Sequence, residues 1–358
     1  GPANTGSDNC VFGGYAMDAN TSGADNCAFG KSALGANTTA GQNTAIGREA
    51  MLSNTTGTRN VALGYGALKT NVTDNNNTAI GWEAAVTCNG ATDTTAIGAY
   101  ALHSLTTGDY NVAVGQAAAY GCTTGAYNVA VGLHALSANS TGAQNTAVGW
   151  HALYQYTGSY NTAMGNQALE DCSTGSHNTA VGHDAARDIT TGSYNTAMGQ
   201  GALQANTSTS ELTAFGYRAL YTNTGGTKNV AVGYNALYTN STGFENTAVG
   251  HNALEDCSTG DRNTAMGSIA LRDVTTGSLN TGFGREALRD LTTGSYNTAC
   301  GRSAGEQMTT GSNNIFVGND AGRNGQPGGQ VDSESNRVCL GNNQITNFSC
   351  QVSLTATS

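Results

Sequence analysis

The sequence predicts an all-β protein, a parallel β-solenoid with one turn every 17 residues, and three observations carry that prediction. A five-residue segment recurs at fixed spacing: NCVFG at Asn9, NCAFG at Asn26, NTAIG at Asn43 and NVALG at Asn60. The composition is that of turns and thin cores, with 50 Gly, only 2 Pro and 11% charged residues in 358. No segment shows the apolar period of a helix. Periods of this length mark repeat architectures. The near-absence of Pro and the low charge separate the chain from disordered sequences.

The 17-residue spacing runs on through Asn77, Thr94, Asn111, Asn128 and Asn145; one step of 16 reaches Asn161, and steps of 17 resume to Asn314. That gives 19 turns, followed by a degenerate copy, NRVCLG, at Asn336. With the Asn position taken as zero, Asn fills it in 17 of 19 turns, and Ala stands two residues on in 16 of 19. Gly at four and Ala at seven are present in all 19.

Each part of the repeat has a physical reading. The residues after Asn are Thr or Val, then Ala, then Ile, Val, Phe or Met, a short strand. The Gly that follows turns the chain where a side chain would clash. The Ala-Leu pair at seven and eight is expected to form a second short strand. A Thr-Thr-Gly or Ser-Thr-Gly turn then closes the copy. Stacked copies pair in parallel about 4.8 Å apart, so 19 turns predict a rod of roughly 90 Å. The missing residue of the 16-residue turn falls between Leu153 and Gly158, a corner that tolerates deletion. The recurrent Asn can bond along the stack as a ladder.

Strand side chains alternate. Positions one and three are expected inside the roll with the Leu at eight, which turns the Ala at two outward. An outward, near-invariant Ala suggests close approach of a second chain, with Ala45, Ala147, Ala180 and Ala248 as packing candidates. A thin roll also leaves apolar area for an oligomer to cover. With Thr inward, a regular ice- or mineral-binding Thr face is not expected.

Charge and motifs narrow the function. A net charge of −10 disfavours nucleic acid and anionic membrane as partners, and no run of about 20 apolar residues predicts membrane insertion. The Gly-x-x-Ala pattern lacks the Gly-Lys-Ser/Thr of a phosphate loop. Carboxylates pair only as Glu170-Asp171 and Glu255-Asp256, in the variable corner. His134 and His151 stack in consecutive turns without the further ligands a metal needs. Neither metal nor cofactor is expected. Cys10 and Cys27 are expected to fill the core. Cys88, Cys122, Cys172 and Cys257, all eleven after Asn in separated turns, are expected as free thiols.

Position five varies freely and carries Tyr65, Trp82, Trp150, Tyr217 and Tyr234. Flat rings among polar neighbours suit a receptor surface, above all a glycan. These five are the receptor-binding candidates.

The strand motif resembles the head repeats of trimeric autotransporter adhesins, and the longer form NTAVGxxALxxxTTG is similar to repeats of phage tail fibres. The likeness covers residues 9–318. It implies a left-handed β-roll packed as a homotrimer. The segment NRVCLGNNQITNFSCQVSLTATS looks like the stretch preceding the self-cleaving intramolecular chaperone of tail fibres and endosialidases. By that resemblance Ser358 is the terminus left by the cut. The expected organisation is a tag scar at 1–2, a solenoid at 3–318, and a C-terminal cap at 319–358. The implied function is a virion tail-fibre shaft or receptor-binding rod, working with other tail proteins and touching a bacterial surface glycan, rather than an enzyme. A bacterial trimeric adhesin head and a polysaccharide depolymerase with an inter-subunit site are the alternatives.

Overall fold

The computed structural model describes residues 5–323 and 331–346, which fall into two compact units divided between Ser210 and Glu211. The 17-residue repeat itself runs on across that point without a break in spacing. Each unit is a parallel β-solenoid, and no helix occurs among the described residues. The first unit carries twelve three-residue strands, from Cys10–Phe12 to Thr196–Met198. Successive strands within the unit pair in parallel and in register, as in Thr44↔Val61, Ala45↔Ala62 and Ile46↔Leu63. The second unit repeats this from Thr213–Phe215 onward. The degenerate copy at Asn336 contributes a strand too, with Ile315↔Val338 and Val317↔Leu340 paired in parallel.

The strand alternates as expected, but its phase is opposite to the expectation. Ala45, Ala147, Ala180 and Ala248 are all fully buried within their own chain. The residues on either side of each are half-buried or exposed. The interior is too narrow for anything larger than a methyl group at this position. Where Gly282 replaces the usual Ala, an added Cβ would already lie 3.1 Å from Leu271 Cγ of the preceding turn. Two turns carry a larger residue there: Val11, in the first strand, is exposed, whereas Phe316 is fully buried. In the Phe316 turn and the one before it, the Leu at eight is replaced by Gly322 and Gly305. A Cβ on either would come within 2.8 Å or less of the Phe316 ring. Ala with Leu and Phe with Gly are thus exchanges of one volume across one core.

The expected second strand is absent at Ala-Leu. That stretch is a run of turns in which positions six and eight have positive φ, for example Glu49 (60°) and Met51 (48°), or Asn252 (53°) and Leu254 (51°). A left-handed conformation costs a non-glycine residue roughly 1–2 kcal/mol. Here the conformation lets successive amides reach both neighbouring turns: Glu49 N–H donates back to Lys31 (2.9 Å), and Met51 N–H donates forward to Ala67 (2.9 Å). Among the described residues, extra strands appear only as the two-residue pair Thr222–Asn223 and Thr239–Asn240.

The Asn ladder forms, and it lies inside the roll. Asn43 Nδ2 donates to the Gly57 carbonyl of its own turn (2.8 Å), and its Oδ1 accepts the Asn60 backbone N–H of the next (2.9 Å). Each Asn so closes one turn and docks the following one, satisfying groups that burial would otherwise orphan. A second interior column, eleven after Asn, holds Asn in eight turns, as in Asn37 bonded to the Ala40 carbonyl at 3.1 Å, and Cys or a larger apolar or aromatic residue in most others. The 16-residue turn keeps the strand register, Thr146↔Thr162. Tyr156 fills the second column there, fully buried, with its hydroxyl donating to the Gly175 carbonyl.

Candidate functional site

With Ala inside, the strands present positions one and three to solvent. Position one is mostly Thr with some Val, and position three is a column of large apolar residues. The first unit's column includes Phe12 (66% exposed), Ile46 and Met164 (45%); the second unit has a column of its own, with Phe215 and Phe283 (54%). Phe12 and Phe29 stack at 4.8 Å. Cys10 and Cys27, expected in the core, lie on this outward face as register partners, because they share the phase of Thr at position one.

The receptor candidates at position five are on the surface. Trp82 is 50% exposed, Trp150 and Tyr234 are exposed, and Tyr65 and Tyr217 are half-buried. Their rings stack on one another along the solenoid axis. Tyr65 lies on Trp82 at 4.4 Å, Tyr217 on Tyr234 at 5.0 Å, and Tyr234 on His251 at 5.2 Å. Trp150 is covered by His151 at 3.9 Å. A rise of about 4.8 Å per turn puts successive rings near the offset-stacking distance. The columns therefore offer solvent mainly ring edges. Trp82 is an exception, since the next position-five residue is Ala99.

Two aromatic columns escaped the sequence reading. They occupy the position just before Asn: Tyr110 on Tyr127 (5.0 Å), and Tyr160, His177 and Tyr194 in series (4.9 Å each). The same 17-residue register would have shown them.

Several titratable groups are spent in pairs. Glu170 accepts from His151 Nδ1 (2.7 Å) and from Gln167 (2.6 Å), and burial, with Glu170 and Asp188 nearby, raises the Asp171 carboxyl above its ordinary value. His134 meets His151 edge-on at 5.6 Å. No group of three or more His, Cys, Asp or Glu among the described residues could hold a metal ion.

The buried cysteines have a structural explanation. Cys88, Cys122, Cys172 and Cys257 stand in the second interior column, where eight other turns have Asn, and they are free thiols. The Cys122 and Cys257 thiols donate to the Gly125 and Gly260 carbonyls (3.4 Å each), the acceptor position that Asn139 reaches in its own turn at Gly142 (2.8 Å). Burial pushes the Cys122 thiol up to about 11 and those of Cys88, Cys172 and Cys257 to about 12.

Ser358, expected as a processing terminus, and Gly1 and Pro2, expected as a tag scar, lie outside the described residues. Compared with known proteins, the chain matches no family model, and no curated protein is significantly similar to it.

Proposed function

We propose that this chain is the shaft of a homotrimeric adhesive fibre, of the kind found in phage tails, whose lateral faces contact a bacterial surface glycan. The observation that carries the reading is the outward apolar column at position three. Contiguous exposed apolar surface marks an interaction site. Here it recurs from turn to turn on the strand face, in the same register as the fold itself. A second copy of the chain carries an identical column with an identical repeat, which makes it the natural cover. A closed rotation of such copies buries the column and leaves no open edge. The aromatic columns and the open face of Trp82 then line the lateral surface, with Tyr65, Trp150, Tyr217 and Tyr234 among its contacts.

Light scattering should give three times 36.2 kDa. Lys in place of Val148 and Met164 should yield a monomer whose β-structure persists, since both side chains point outward. A wild-type monomer at micromolar concentration would refute the assembly. Failure of the trimer to adsorb to bacteria or to any bacterial polysaccharide would refute the adhesive role.

The outward Thr column, as at Thr78 and Thr95, favours a second reading, an ice- or mineral-binding face. The neighbouring column weighs against it, because Ile, Val, Phe and Met alternate there and a crystal plane requires an even surface. Thermal hysteresis in the wild-type protein would favour that reading.

A further inference from the structure

Nine residues after Asn, nearly every turn of the first unit projects a side chain: Leu52, Lys69, Val86, His103 and Tyr120 follow one another. Gly35 interrupts the row, beside Ala36. The gap opens a concavity of about 390 Å³ bounded by Tyr15, Asp18, Ser32, Leu52 and Ser53. That is within the ~300–1,000 Å³ of small-ligand clefts. The fold does not require glycine here. The Gly35 φ lies outside the left-handed region, and an added Cβ would meet nothing closer than Leu52 Cδ1 at 3.2 Å. At Gly47, by contrast, φ is +136° and a Cβ would lie 2.4 Å from a backbone carbonyl oxygen.

The groups around the gap are chemically unspent. Tyr15 is 69% exposed and no ring stacks on it, unlike the columned aromatics. The Asp18 carboxylate and the Ser32 and Ser53 hydroxyls make no side-chain hydrogen bond or ion pair among the described residues. Leu52 and Ala36 add apolar wall. An open aromatic face, an apolar wall, one carboxylate and two hydroxyls match a sugar ring. The C–H face of the ring stacks on the aromatic, while adjacent hydroxyls donate to the carboxylate and exchange hydrogen bonds with the serines. The Asp18 charge, in a chain of net charge −10, opposes an acidic sugar.

We propose that the gap at Gly35 is a binding subsite for one neutral hexopyranose unit of a glycan. The proposal rests on the adhesive reading in taking a glycan as partner, but its site is defined by these residues alone.

The test is saturation-transfer NMR and titration with neutral methyl hexopyranosides and the matching uronic acids, on the intact chain. Gly35→Tyr supplies the side chain that Tyr120 carries at the equivalent position, so it should fill the gap and leave the fold intact. Binding should weaken at least about tenfold, and also with Tyr15→Ala and Asp18→Asn. Ser137→Tyr, the same addition at the same position in another turn, should bind as wild type. Retained hexopyranoside binding in Gly35→Tyr would overturn the subsite while leaving the adhesive reading in place. Hexopyranoside binding lost in Gly35→Tyr, in a protein that never adsorbs to bacteria, would uphold the subsite and defeat the adhesive reading. Absence of sugar binding in the wild type, or preference for the uronic acids, would overturn the subsite.

Discussion

Replacing Ala147 by Leu or Phe tests which way the strand faces. Ala147 is fully buried, and the equivalent site at Gly282 shows how little room there is: a bare Cβ already reaches 3.1 Å from Leu271 Cγ. Leu adds three carbons beyond that Cβ, and Phe adds more. Overpacking of this kind typically costs 1–3 kcal/mol, a large part of the ~5–15 kcal/mol that holds a domain folded. Phe316 with Gly305 and Gly322 shows how the chain accommodates the change. The corresponding partners of Ala147 are Leu136 and Leu153, at φ of 55° and 53°. Converting both to Gly removes the clash and relieves a left-handed cost of roughly 1–2 kcal/mol each. Ala147→Phe should therefore melt well below wild type. The triple variant with Leu136→Gly and Leu153→Gly should recover part of the loss. Far-UV circular dichroism against temperature measures the melting, and light scattering measures assembly. If Ala147→Leu melts with wild type, or changes only the oligomeric mass, the inward placement is wrong. A triple variant less stable than Ala147→Phe alone would also refute the volume exchange.

Other perturbations probe the ladder, the thiols and the turn. Asn263→Ala orphans the Gly277 carbonyl and the Asn280 backbone N–H, bonded at 2.8 and 3.0 Å. At ~1–3 kcal/mol for each buried orphan, urea titration should show a loss of about 2–6 kcal/mol, against under ~0.5 for the exposed Thr276→Ala. Gly47→Ala forces a Cβ to 2.4 Å from a carbonyl oxygen at φ +136°, so it should fail to yield folded protein, whereas Gly35→Ala should fold. Cys88, Cys122, Cys172 and Cys257 should resist a thiol reagent until the chain unfolds, while the exposed Cys10 and Cys300 react at once in the monomer. The buried thiols also set an alkaline limit. Their pKa values of about 11 to 12 in the folded chain exceed the ordinary ~8.5, so above pH ~8.5 the unfolded chain loses protons that the folded chain keeps. Stability should fall with rising pH from there to about 12, and Ser at the four positions should flatten that slope.

The sequence alone determined the period, the parallel stacking, the Gly turn, the Asn ladder and the corner that loses a residue at Leu153–Gly158. Each follows from one residue type recurring at one position, and stacking in register turns such recurrence into contact. It did not determine the phase of the strand. Alternation establishes that Ala147 faces away from Thr146 and Val148, but with apolar residues on both faces it does not say which face is inside. Tertiary structure decided that, because the roll is thin enough for Leu153 and its neighbours to meet a methyl group and nothing larger. The pairing of Phe316 with Gly305 and Gly322 was visible in the sequence, but it acquires meaning only once those positions are known to face each other. The left-handed Leu and Glu residues between turns were not legible at all, since local propensity opposes them and only hydrogen bonds to adjacent turns maintain them. The rings of Tyr65 and Trp82 could be placed on the surface from sequence. That they cover each other, while Tyr15 stands open beside Gly35, depends on which side chain happens to lie on the next turn.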